Sequence, residues 1–323
     1  MDFSIPDKTR DLLNTIREFI ESEIYPLEEL TSSRSFYELL PLLEEKRKMV
    51  KKLGLWTPQI PKEYGGVGLG FLEYAMVCEQ LARSPYGVFV FNAQAPDAGN
   101  MEILIQFGTP EQKERWLHPL LAGEIRSCFS MTEPDRPGSN PTWMETTAVR
   151  DGDDYVINGH KWFTTAADGA AFSILMAVTH PDAPPHQRAS QIIVPTDTPG
   201  FAVTKKLKKL GYRASDTAEL AFDNVRVPVS NRIGEEGMGF VYQMEQFQIE
   251  RIICAISVTA GAEKIVRMTI DYCRGRVVFG KPLIENQWIY FKLSELLTEI
   301  EFLRQMCYHC VRKLERLLRQ QTG

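Results

Sequence analysis

The stretch from Asp151 to Thr165, DGDDYVINGHKWFTT, decides the architecture. Asp-Gly at 151–152 and Asn-Gly at 158–159 are hairpin-turn dipeptides. Between them Tyr155 and Ile157 alternate with polar neighbours, the two-residue period of a half-buried strand. Working outward, further strand candidates lie at 172–179, 190–195, 201–206 and 217–227, parted by Pro, Gly and Asn. Residues 126–236 are therefore expected to form an antiparallel sheet, sandwich or barrel.

On both flanks the period changes to that of a helix. Leu12, Leu13, Ile16, Phe19, Ile20 and Ile24 mark a first helix. Phe36 to Leu53 reads as a second, stopped by Gly54, and Phe71 to Arg83 as a third, with Pro85 just beyond. Thr109-Pro110-Glu111-Gln112 is a helix start with a capping box. After the sheet, long helices are expected over 239–274 and 283–319, with Gly280-Lys281-Pro282 in the turn between them. The expected fold is α+β and multidomain: a helical domain over 1–125, a middle β domain over 126–236 and a helical bundle over 237–323. This order has no βαβ alternation, which argues against a Rossmann fold.

Composition bounds the function. The 323 residues are 44% hydrophobic and 24% charged, an ordinary globular balance. The net charge of −5 offers no general attraction for nucleic acid or anionic membrane. Polar residues interrupt every apolar run well before the ~18 needed to span a bilayer. The opening MDFSIPDKTRD has no secretory or organellar presequence pattern and the closing RQQTG is no peroxisomal address, so the cytoplasm is the expected location. Cysteines 78, 128, 254, 273, 307 and 310 then read as free buried thiols rather than disulfides.

Several motifs have plain readings. EYGGVGLG at 63–70 lacks the preceding strand that a phosphate-gripping loop needs, and reads as a structural loop. CYHC at 307–310 has no second ligand pair for zinc, and its cysteines read as core thiols. SCFSMTEPDRPGS at 127–139 and Lys161-Trp162-Phe163-Thr164 read alone as a loop and an aromatic strand. Glu250, in FQIERIICA, lies beside an apolar helix face, where a carboxylate must be paired, protonated or functional.

Taken together, these segments resemble the acyl-CoA dehydrogenase flavoproteins over nearly the whole chain. PKEYGGVGLG, FGTPEQKERWLHPLLAGE, the MTEP segment, INGHKWFTT, FDNVRVP and RVVFGKPLIENQ occur in the family's order and at about its spacings. The middle is most similar to the branch with family members 10 and 11, the helices over 240–300 to isovaleryl- and citronellyl-type members. The resemblance implies FAD at a subunit interface of a homo-oligomer, a dimer or tetramer, and electron transfer to an electron-transfer flavoprotein. It implies that Phe129, Met131, Thr132, Trp162, Phe163 and Thr164 line the flavin, with Gly138 and Ser139 where cofactor and thioester meet. Arg276, Phe279 and Gln287 match positions that reach the FAD of a neighbouring subunit, and Phe247 and Arg251 lie near the CoA thioester. The implied reaction is α,β-dehydrogenation of an acyl-CoA, a base taking the α-proton while the β-hydrogen passes as hydride to flavin N5. Glu250 falls where isovaleryl-type members place that base. No metal is implied.

Two departures accompany the resemblance. Asp135-Arg136-Pro137 lengthens the loop by one residue where the family has small ones. The sequence also stops where the family continues into its final helices, which leaves an apolar face expected on 283–319. Two other roles fit the same chain: a scaffold or partner subunit of a longer relative, and a flavin oxidase.

Overall fold

A computed structural model describes residues 5–210 and 216–321, without the side chains at 31, 32, 318, 319 and 321. The terminal residues on which the expected location partly rests, 1–4 and 322–323, lie outside the described residues. Contacts divide the chain into two compact units, Met1–Phe91 with Ile249–Gly323, and Asn92–Gln248. The change of period marks local structure, whereas compactness marks what packs together. The two criteria cut this chain at different places.

The first unit is helical. Asp7–Phe19 runs into a wider turn at Ile20–Ile24, and its apolar stripe buries Leu13, Ile16, Phe19, Ile20 and Ile24. Phe36–Lys52 starts on a capping box, with the Glu38 amide donating to Ser35 Oγ and the Ser35 amide to the Glu38 carboxylate. Phe71–Leu81 ends before Arg83, where the backbone turns through Ala82. The helices Gly239–Gly275 and Gln287–Gln321 are joined by a small hairpin, Val277–Val278 against Lys281–Pro282. Ala75, Ile256, Cys307 and Val311 form one core cluster; Val266, Leu293 and Ile300 form another. Cys254 and Cys310 are exposed, so only part of the cysteine set is core. Cys307 is buried but Cys310, three residues on, is exposed.

The EYGGVGLG segment is a structural loop. The amides of Gly66 and Gly68 donate to the carbonyls of Pro61 and Ile60, and so are spent internally. A Cβ on Gly66 would lie 2.1 Å from the Ile60 carbonyl oxygen, so this approach requires glycine.

In the second unit, helix Asp97–Phe107 and the segment Pro110–Ala122 precede a sheet. Thr109 caps as expected: the Gln112 amide donates to Thr109 Oγ1 and the Thr109 amide to Gln112 Oε1. The strands are β1 (Ser127–Ser130), β2 (Thr147–Asp151), β3 (Asp154–Thr165), β4 (Phe172–Val178), β5 (Ala189–Pro195), β6 (Phe201–Lys206), β7 (Thr217–Pro228) and β8 (Arg232–Ile233). Seven of them follow the order β6-β7-β3-β2-β4-β5-β8, and β1 also pairs with β4. Tyr155, Ile157, Leu175, Ala177, Ile192, Val194, Leu220 and Phe222 share the core.

The sheet is antiparallel over most of its pairs, as expected, with two details that differ. Contacts of β1 and β2 with β4 are parallel, not antiparallel; parallel contacts need long crossovers and leave no turn dipeptide to read. Asn158-Gly159 is no turn but lies within β3. Its glycine answers a close approach, since a Cβ there would lie 2.4 Å from Thr146 Oγ1. Strand β2 and helix Asp97–Phe107, neither marked by a clear period, complete the unit. No helix among the described residues is long and apolar enough to cross a membrane.

Candidate active site

The site is built from a break in the ladder. On β3, Lys161 pairs with Leu220 and Thr164 with Ala218, so Trp162 and Phe163 share the space opposite Glu219 alone. This is a β-bulge, a device that re-aims side chains beside functional sites. Phe163 takes φ 53°, the left-handed region, and is 52% exposed. The extra residue shifts the strand's parity, and Lys161 and Thr164, three apart, are both buried. The Trp162 and Phe163 rings sit 4.5 Å apart.

The freed Trp162 amide donates to the Thr132 carbonyl at 3.0 Å, which brings the MTEP loop against the bulge. Lys161 Nζ donates to the Met131 carbonyl at 2.8 Å and to Glu133 Oε1 at 2.9 Å. Glu133 in turn accepts from the backbone amides of Glu145 and Thr146 at 2.7 and 2.8 Å. Burial pushes the Lys161 ammonium down to about 8, against the pull of Glu133. Gly138 folds back on Thr132, whose methyl lies 2.9 Å from where a Cβ would stand, while exposed Ser139 follows it. Arg136 of the lengthened loop pairs with Glu145 and, with Met131, Thr132 and Gly138, lines a small recess. Lys161 and Glu133 lie in segments that stand out in the sequence, but the sequence assigns neither a role. The available signal was a lysine alternating in register with buried strand residues.

Phe129, at the end of β1, meets the Phe247 ring edge-on at 6.4 Å. Glu250 and Arg251 lie three and four residues past Phe247 in the sequence of the helix Gly239–Gly275. Glu250 is half-buried, whereas Arg251 is exposed.

Glu250 and Arg251 fall in the first unit, and so do the remaining candidates. Arg276 leads into the hairpin, and the Leu283 amide donates to its carbonyl at 2.7 Å. Phe279 occupies the hairpin tip at φ 51°, fully exposed. Gln287 opens the last helix and is exposed.

These residues suit a flat aromatic ring with polar edges. Thr164 Oγ1 is buried without a hydrogen-bond partner, a group that wants an external acceptor or donor. Beside it, the bulge offers the Trp162 and Phe163 rings. Among the described residues no cluster of His, Cys, Asp and Glu could hold a metal ion.

Comparison with known proteins defines the class. The acyl-CoA dehydrogenase N-terminal, middle and C-terminal domain models match residues 6–124, 128–225 and 237–322. The chain therefore belongs to the acyl-CoA dehydrogenase family, FAD-dependent oxidoreductases acting on CH–CH groups. It is 36% identical over 317 residues to "Probable acyl-CoA dehydrogenase FadE2" of Mycobacterium tuberculosis, covering 95% of this chain and 77% of that one. It is 38% identical to acyl-CoA dehydrogenase family member 10 of Mus musculus over 90% of this chain but 28% of the longer mouse protein. Among solved structures, butyryl-CoA dehydrogenase from Megasphaera elsdenii is similar at TM-score 0.83 and 32% identity, covering 98% of this chain and 82% of that one.

Proposed function

We propose that this protein is an FAD-dependent acyl-CoA dehydrogenase that converts an acyl-CoA thioester to the 2-enoyl-CoA. The bulge at Trp162–Phe163, with the orphaned Thr164 hydroxyl beside it, carries the reading. Phe129, Met131 and Thr132 would border the flavin, Trp162 and Phe163 would pack on it, and Thr164 Oγ1 would hydrogen-bond to it. FAD, when bound, supplies the acceptor for the two electrons that leave the β-carbon. Glu250 is the base that takes the α-proton, next to Arg251 on its helix. A thioester α-carbon is a weak acid, so its carbonyl must be polarised by positioned donors. The loop at Gly138 and Ser139 is where the thioester would lie.

A homo-oligomer belongs to the proposal. Phe279 is fully exposed in the isolated chain, and Arg276, Phe279 and Gln287 would complete the flavin site of a second copy. Val258, Ile265, Met268 and Tyr272 on one helix, and Trp288, Phe302 and Met306 on the next, are apolar and more than 60% exposed. An electron-transfer flavoprotein is the proposed acceptor of the electrons. The three stretches 1–125, 126–236 and 237–323 are the proposed functional domains.

The test is the visible spectrum of the purified protein before and after anaerobic addition of a panel of acyl-CoAs. Flavin bands that bleach support the proposal; retained flavin that no acyl-CoA bleaches refutes it. A colourless protein that co-purifies with a longer homologue indicates a scaffold, and peroxide released during turnover an oxidase. Glu250→Gln should keep its flavin and bleach ~10²–10⁴-fold more slowly, the usual contribution of a positioned base. Unchanged bleaching moves the base elsewhere.

A further inference from the structure

Lys161 and Glu133 are charged, yet Lys161 is 0% exposed and Glu133 is 6% exposed. Burying such a pair is expensive, and a hydrophobic pair of the same volume often folds as well or better. The pair's position suggests what the cost secures. Met131, Thr132 and Glu133 are consecutive loop residues, and each is tied to the strand immediately before or within the bulge. The Met131 carbonyl and Glu133 carboxylate bond to Lys161 Nζ, and the Thr132 carbonyl to the Trp162 amide. Glu133 is itself pinned from the far side by two backbone amides that lead into β2. An apolar side chain at 161 could satisfy neither the backbone carbonyl nor the carboxylate, whereas the single ammonium nitrogen donates to both.

Resting on the function proposed above, we infer that Lys161 and Glu133 are positioning residues: their ion pair clamps the Met131–Thr132 backbone against the Trp162–Phe163 bulge and thereby sets how tightly, and at what potential, flavin is held. Neither residue has to touch the flavin. They act through the two backbone segments that border it.

The test compares wild type with Lys161→Met, Lys161→Arg and Glu133→Gln. The readouts are FAD affinity by fluorescence quenching, the midpoint potential of bound flavin, and thermal unfolding without flavin. Lys161→Met should bind FAD about tenfold or more weakly, with a shifted potential, even where the flavin-free protein unfolds at the wild-type temperature. Lys161→Arg, which keeps charge and donors, should recover part of the affinity. Wild-type affinity and potential in Lys161→Met overturn the clamp while leaving the proposed function standing. If Lys161→Met fails to fold, Glu133→Gln decides by the same two readouts, and wild-type values there overturn the clamp equally. A wild-type protein that takes up no FAD overturns both proposals.

Discussion

Thr164→Val is the most informative single substitution, because two effects of opposite sign are expected from one atom. Valine has nearly the shape of threonine, so packing at this 1% exposed position is retained. What is lost is Oγ1, which is buried and has no partner in the flavin-free chain. Leaving such a group unsatisfied costs about 1–3 kcal/mol, and its removal should return a similar amount to the folded state. At roughly 2–4 °C per kcal/mol for a domain of this size, the flavin-free variant should melt several degrees higher than wild type. If the same hydroxyl bonds FAD, its removal should weaken FAD by a comparable 1–3 kcal/mol, about 5- to 150-fold in Kd. Differential scanning fluorimetry without flavin and equilibrium FAD titration read the two effects separately. A variant that melts lower than wild type refutes the reasoning, since Oγ1 would then have been bonded within the protein. A variant that melts higher but binds FAD normally removes Thr164 from the flavin site.

Arg304 lies between two buried carboxylates, bonding Glu79 at 2.7 Å and pairing with Glu263 and Glu301. Arg304→Met should destabilise the helical unit by ~3–5 kcal/mol, read by denaturant unfolding, because it strands buried charge. Burial works against the Glu263 charge, but the hydrogen bond from Arg267 and the guanidiniums of Arg304, Arg267 and Arg83 outweigh it and hold its carboxyl below the ordinary 4.5. Its contribution is therefore complete above pH 4.5 and lost as the pH falls through the depressed value, so acid titration of stability should be steeper in wild type than in Glu263→Gln. Gly159→Ala forces a Cβ to 2.4 Å from Thr146 Oγ1 and should cost about 1–3 kcal/mol in thermal unfolding of the β unit. A Gly159→Ala protein as stable as wild type would show that β2 and β3 can separate there without loss.

Much of the architecture could be read before any coordinates. The helical stripe from Leu13 to Ile24, the Thr109 capping box and the strand at 201–206 stand where local pattern put them, because each is governed by neighbours within a few residues. Asn158-Gly159 misled for the same reason. A turn dipeptide and a glycine that yields to Thr146 are identical in sequence, and the difference lies in a residue a dozen positions away, just before β2.

The candidate site divides along the same line. The amino-acid order alone was enough to name the aromatic pair, the MTEP loop and Glu250, since motif and family resemblance are properties of residue order. It could not show that Trp162 and Phe163 occupy a bulge, that Thr164 Oγ1 is left without a partner, or that a lysine in a strand has turned inward to hold Glu133. Those facts depend on register and burial, which arise only when distant segments pack together and each polar group must find its partner or go without.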